Sequence, residues 1–257
     1  MWKFRLLFPL LIVAAMKLQA SSVIPIDVAT QVDEADLIFI GTVTGTESVA
    51  VRDGSFAYTY VTFAVEETLK GAASGRTLTL RVAGGEAGGY VYSIGGGPVF
   101  TKGGRHLLFV LGNDRYGIPL SGGPQGKLDL VRHPRTNALI VVDALGRAID
   151  GLHDHQWVRG GLALDEHGQV RRPQPVAAVL SQDRVTIELD GRDAAPEAVE
   201  HAAPAASVLA ELRTLIQQRA FTPRFKRGPA VESASPANVP LTDSYPAYAP
   251  DASTRLD

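Results

Sequence analysis

The side chains best suited to chemistry gather in Gly151-Leu152-His153-Asp154-His155-Gln156-Trp157. A His-x-His pair on an extended strand sets both imidazoles on one side, which makes His153 and His155 candidate metal ligands, with His167 or Asp165 as a third. Two ligands do not hold an ion, and the surrounding glycine and charge favour a solvated polar turn. Of the other histidines, His106 precedes an apolar run and reads as a strand-edge residue, while His133 sits in a turn. Hydrolase patterns are missing: the chain has no His-Glu-x-x-His and no Gly-x-Ser-x-Gly. Asp33, Glu34 and Asp36 cluster at a helix end as a solvated face, and Glu66-Glu67 closes a strand. Paired carboxylates of that kind act on glycosides only inside a cleft.

A second candidate group is aromatic. Tyr58, Tyr60, Tyr90 and Tyr92 could form a platform of the type on which sugars or bases stack. The competing reading is cross-strand packing with exposed hydroxyls. A formal net charge of −2 supplies no positive groove for a nucleic-acid backbone, so no nucleic-acid partner is expected. The glycine-rich segment from Gly84 to Gly104 invites a phosphate-loop reading, but that needs a helix after the glycines and a Lys-Ser or Lys-Thr pair. Here Gly103-Gly104 leads into Arg-His-Leu-Leu-Phe-Val, a strand. Glycines in a strand context mark bulges, corners and close backbone approach. The segment therefore reads as a barrel corner with one short strand from Tyr90 to Ile94, the alternative being a mobile loop at a binding edge.

The elements that must carry these residues are mostly strands. Val28, Val32 and Ala35 share one face of a short helix, with Asp27 as its N-cap. A strand starts at Leu37, and Arg52-Asp53-Gly54 turns the chain. Val61, Phe63 and Val65 alternate with Thr62, Ala64 and Glu66; Leu78, Leu80 and Val82 alternate with threonines and Arg81. The continuous run after His106 suits a strand buried on both faces. KLDLV and ALIVVD, separated by Pro134 and Asn137, read as a hairpin. The polar stretch from Gly151 reads as loop, and RVTIELD from Arg184 as a short extended segment. Ser207 to Gln218 is an amphipathic helix, with Val208, Leu212 and Leu215 on one face. Beyond Phe225, proline and small polar residues leave too little apolar surface to offset about 1–2 kcal/mol of ordering per residue, so a disordered tail is expected.

The start of the chain points to export. MWKFR is followed by the apolar run LLFPLLIVAAM, too short to span a bilayer, and then by KLQASS, with Ala20 as the small residue before cleavage. No later stretch approaches membrane length, so the mature chain is expected to have no membrane span. The 257 residues contain no cysteine, which excludes disulfides, thiol catalysis and cysteine zinc sites together. The expected organisation is a signal peptide over 1–20, a barrel over 21–112, a β-hairpin extension over 113–150, a loop-rich segment over 151–205, the amphipathic helix over 206–221 and a disordered proline-rich tail over 222–257.

ADLIFIGTV, TYVTFAVEETLKG, LTLRV, a glycine-rich link and FTKGGRHLLFVL follow one another between Ile24 and Gly112. This order resembles the netrin-like, or tissue-inhibitor-of-metalloproteinase-like, OB-fold, and more closely its cysteine-free bacterial secreted members without an assigned activity. The resemblance implies a mainly β chain: a five-stranded Greek-key barrel with a helix packed on it, binding through one face and its loops. Animal members place an N-terminal cysteine on a protease's zinc. This chain has none; Ser21 would be the new N-terminus after Ala20 and would present an amine and a carbonyl. The fold carries over and the inhibitory mechanism does not.

These readings favour a non-enzymatic exported module with no cofactor. Its partner would be another secreted or envelope protein, with a metalloprotease as the class the resemblance suggests. Ser21, Tyr58, Tyr60, Tyr90 and Tyr92 are the candidate contact residues. A cell-envelope glycan- or peptide-binding protein using the tyrosines is the alternative, and a metal-dependent enzyme around His153 and His155 a third.

Overall fold

A computed structural model describes residues 25–51, 54–113, 117–165, 167–170, 201–238 and 254–255. The expected signal peptide, Ser21, the Arg52-Asp53 turn, the RVTIELD segment and residues 239–253 and 256–257 of the tail lie outside the described residues, whereas residues 222–238, expected in the tail, pack on the fold, with Val231 buried and bonded to the Ala72 carbonyl.

The protein is mainly β. Helix α1 (Val28–Glu34) starts where the sequence places it: Asp27 caps it, its Oδ1 accepting from the Thr30 amide at 2.7 Å. Strands β1 (Leu37–Ala50), β2 (Ala57–Lys70) and β3 (Thr77–Ala83) form an antiparallel meander. A small hairpin, β4 (Gly85–Ala87) with β5 (Tyr90–Tyr92), follows, and then β6 (Arg105–Val110) returns to pair with β1. The order continues through β7 (Lys127–Arg132), β8 (Leu139–Val142), β9 (Arg147–His153) and β10 (Gln156–Ala163). Helix α2 (Ala205–Arg219) comes last among the long elements, and Thr254–Arg255 pairs with β5.

Among the described residues these strands make one open antiparallel sheet in the order β10-β9-β8-β7-β6-β1-β2-β3. The closed cylinder expected from Leu37 to Leu111 is not completed by strand pairing, because the chain beyond β6 adds β7–β10 to the sheet. The outer edge of β3 is covered by irregular chain. Asn113 accepts the Arg81 amide at 2.8 Å and donates to the Thr79 carbonyl at 2.8 Å. Ala83 N–H donates to Gly117 O, and Ala234 N–H to Thr79 O. Backbone groups of an edge strand need such partners when they are not left to water.

Two corrections concern the stretch from Gly151, read as loop, and the glycine-rich segment, read as a barrel corner with one short strand. Residues 147–163 form a hairpin, with Asp154 and His155 at φ 47° and 61° making its turn. Left-handed φ at both central positions is the geometry of a tight I′ hairpin, which asparagine and glycine usually supply. The glycine-rich segment holds a hairpin, β4–β5, and its single strand expected over Tyr90–Ile94 stops at Tyr92. Gly85 shows why glycine is used: at φ 136°, a Cβ there would lie 2.2 Å from Thr59 Oγ1 and 2.6 Å from Ser48 Oγ.

Both helices lie on one face of the sheet. Val28 and Val32 of α1, with Val208, Leu212 and Leu215 of α2, bury Ile38, Ile40, Leu107, Phe109, Leu128, Leu130, Val141 and Ile149. Charged side chains fix the helices in place. Arg213 of α2 grips Glu67 on β2 through both carboxylate oxygens, at 2.7 and 2.9 Å. Arg219 pairs with Asp33 at the end of α1. Lys70, 5 % exposed, donates to the carbonyls of Val32, Asp33 and Ala35 under the Phe225 ring. Burial pulls its pKa down to about 8, against the attraction of Asp33 and Asp36.

Candidate functional site

The opposite face of the sheet carries two apolar clusters. One lies on β1, β2, β3 and β6 and includes Phe39, Val43, Phe63, Leu78, Leu80 and Leu108. The other, around Ile140, Val142, Ala148, Leu162 and Leu164, belongs to the hairpins beyond β6. Between them sit Lys127, Asp129 and His106.

Their positions follow from strand alternation. On β7, Leu128 and Leu130 face the helices, so Lys127, Asp129 and Val131 face the other way. On β6, Leu107 and Phe109 face the helices and His106 the other side, directly opposite Asp129. Asp129 Oδ1 receives both neighbours: His106 Nδ1 at 2.6 Å and Lys127 Nζ at 2.6 Å. A carboxylate only accepts, so Nδ1 carries the ring proton in the neutral imidazole and Nε2 is left as an acceptor. Nε2 is buried without a hydrogen-bond partner, and His106 is 5 % exposed. Burial would raise the Asp129 pKa; the His106 hydrogen bond and the charge and hydrogen bond of Lys127 outweigh it and hold the carboxyl below the usual 3.8.

At this trio the sheet forks. The β6–β7 ladder ends at His106 opposite Asp129, whereas β7 stays paired with β8 as far as Arg132 opposite Leu139. The chain before β6 instead stays with β1: Val43 N–H donates to Gly104 O, and Gly103 N–H to Val43 O. The two strands therefore diverge beyond His106 and Asp129. A cavity of 720 Å³ opens there, between the Thr101–Gly104 turn on one side and the Asp143–Gly146 and Asp165–Gly168 turns on the other. That volume falls within the range of roughly 300–1,000 Å³ typical of ligand sites.

The charged groups around the fork are largely paired with one another. Asp143 accepts from the amides of Leu145 and Arg147 and from the Arg159 guanidinium at 2.9 Å. Arg105 pairs with Glu66 at 2.7 Å, and Thr42 donates to the same carboxylate at 2.6 Å. Asp129 Oδ2 is different: its side chain is 28 % exposed, and among the described residues no donor reaches that oxygen. His106 Nε2 is shielded from the cavity by the edges of Phe63 and Phe100 and by Gly104. A Cβ on Gly104 would stand 2.7 Å from Nε2 and 2.9 Å from the Thr101 carbonyl. An imidazole covered in this way holds a wall in place and cannot take a proton from a substrate in the cavity.

The residues singled out from sequence lie elsewhere. Tyr58 and Tyr60 are 1 % and 2 % exposed and pack with Ala83, Phe56 and Ile94. Arg81 lies 4.9 Å over the Tyr58 ring. Tyr92 is also buried, its hydroxyl donating to the Gly54 carbonyl at 2.5 Å. Tyr90 alone of the four is exposed, so they make no surface platform. Tyr58 and Tyr60 share one face of β2, and that face is covered. His153 ends β9 and His155 lies in the turn, so they do not share one side of a strand; the left-handed backbone reverses the chain between them. His153 Nε2 pairs with the Asp154 carboxylate at 3.3 Å in an exposed position. Asp165 Oδ1 accepts the amides of His167 and Gln169, a local turn. Among the described residues no group of three or more His, Cys, Asp or Glu side chains is gathered for a metal ion.

The sequence reading missed Lys127 and Asp129, and it took the buried His106 for a strand-edge residue. Asp129 was the available signal: a lone carboxylate between Leu128 and Leu130 in a strand otherwise packed on both faces. Compared with family models, with curated proteins and with solved structures, the chain matches none of them.

Proposed function

We propose that the chain is an exported, non-enzymatic module that binds another secreted or envelope protein, and that it does so at the fork between β6 and β7. The observation that carries this is the arrangement around Asp129. A recess of ligand-site size is lined by charges that are mostly spent on one another or on backbone groups, with one carboxylate oxygen left for a donor and the imidazole nitrogen walled off. Such a site recognises and has no evident reacting group. Leu145, 66 % exposed on the β8–β9 turn at its rim, adds apolar surface of the kind partners cover.

The proposal includes the netrin-like OB architecture for the first half. What supports it is the apolar cluster that β1, β2, β3 and β6 share around Phe39, Phe63 and Leu80, with α1 packed on the other face and Asn113 bridging toward β3. A metalloprotease as partner rests on the resemblance alone. Two measurements test the function. A photo-crosslinking residue at Leu145 should capture a defined partner in the exporting cell, whereas the same residue at Gln217, exposed on α2, should not. Equal capture at both positions would refute the fork as the binding surface. A panel of secreted metalloproteases assayed with the purified chain decides the partner class, since unchanged activity throughout removes it.

A further inference from the structure

We infer that the fork recognises its partner by strand addition: an extended segment of another polypeptide pairs with the bare edge of β7. This rests on the reading of the fork as the binding site and specifies how it binds. His133 N–H donates to Ala138 O, and the β7–β8 register runs without a break from there through Val131 opposite Ile140 to Asp129 opposite Val142. In an antiparallel ladder successive residues direct their N–H and C=O to opposite sides. Asp129 and Val131 therefore bond to β8, Leu130 N–H closes the last β6–β7 pair, and Arg132 turns its N–H and C=O toward the fork. On the far side of the fork the chain at Gly103 and Gly104 is committed to Val43 of β1 and does not return to β7. The edge beyond that last pair, from the Leu130 carbonyl through Arg132, thus lacks a partner strand among the described residues, and it borders the 720 Å³ cavity.

The chemistry of the lining selects the occupant. Most charges around the fork are spent on one another or, for Arg132 and Asp165, on backbone groups, so neither an anion nor a cation gains much there. What remains open is main-chain hydrogen bonding, the free Asp129 oxygen for an added N–H, and apolar surface at Val131, Val142, Leu145 and Leu164 for alternate side chains. An uncharged stretch of extended polypeptide satisfies all of these at once.

The test uses the full chain and phage-displayed random heptapeptides. Enriched peptides should alternate apolar with polar residues, and on binding should slow amide exchange at Arg132. N-methylating the pairing amides of the best peptide should weaken it by about tenfold or more, since two or more main-chain bonds are lost. Arg132→Pro should lose binding to a similar degree while Arg132→Ala keeps it, because only proline removes the edge N–H. If Arg132→Pro does not fold, the N-methylated peptide still decides. Failure to enrich any peptide, protection elsewhere, or equal binding of the N-methylated form would overturn strand addition. Protection of Arg132 that grows with protein concentration alone would assign the edge to a second copy and overturn the heterologous partner. Capture at Leu145 without peptide binding would leave the binding surface standing and remove only its mode; peptide pairing without capture would do the reverse.

Discussion

On the helix-bearing face the sheet is covered by one apolar layer that runs from Ile38 and Ile40 across Leu107, Phe109, Leu128 and Leu130 to Val141 and Ile149. On the other face that layer is divided, with Phe39, Phe63 and Leu108 in one cluster, Ile140, Val142 and Leu164 in another, and Lys127, Asp129 and His106 between them. The same strands supply both faces. The helices bridge the join between β6–β1–β2–β3 and the hairpins beyond, whereas on the other face the two apolar clusters stop on either side of Lys127, Asp129 and His106, where β6 and β7 diverge. The difference locates the site: it lies where burial stops being continuous.

The comparison makes unequal demands on single substitutions. Leu212→Ala, on a fully buried side chain of the continuous layer, should cost about 2–5 kcal/mol in denaturant unfolding. Val131→Ala, partly buried at the fork, should cost about 1 kcal/mol, and equal losses would erase the distinction between the faces.

Asp129→Asn should destabilise by about 1–3 kcal/mol, less than for a fully enclosed ion pair because the carboxylate is partly exposed. Its pH dependence has a definite sign. The folded pKa lies below 3.8, so the stabilisation is complete above that value and is lost as pH falls through the folded pKa. Melts of the wild type and of Asp129→Asn should therefore converge on acidification, and a gap that persists at low pH would assign the effect to packing. Gly104→Ala should cost about 1–3 kcal/mol, since the new methyl group must displace His106 or the Thr101 carbonyl. Leu145→Asp, at the exposed rim, should leave stability within about 0.5 kcal/mol and still abolish co-purification of the partner captured by the Leu145 crosslinker.

Local rules made much of the scaffold legible. The Asp27 cap, the alternation in β2 and β3, the Pro134–Asn137 turn and the apolar face of α2 each depend on residues close in sequence, and each element stands where they place it. The β9–β10 hairpin was not legible, because Asp154-His155 supplies left-handed backbone without the glycine that usually signals it. The open sheet was not legible either. Whether β6 returns to β3 or passes on to β7 is decided by pairing across the fold, which periodicity does not encode. The site shares that blindness, since it exists only because one ladder ends before its neighbour does.

Amide exchange at Arg132 in the free chain tests the fork most directly. The account predicts fast exchange there beside slow exchange at Val131, whose N–H is bonded to β8, and at Leu107 and Leu128 inside the β6–β7 ladder. Protection of Arg132 equal to that of those neighbours in dilute, partner-free protein would mean that the edge is already paired, and the proposed site would not exist.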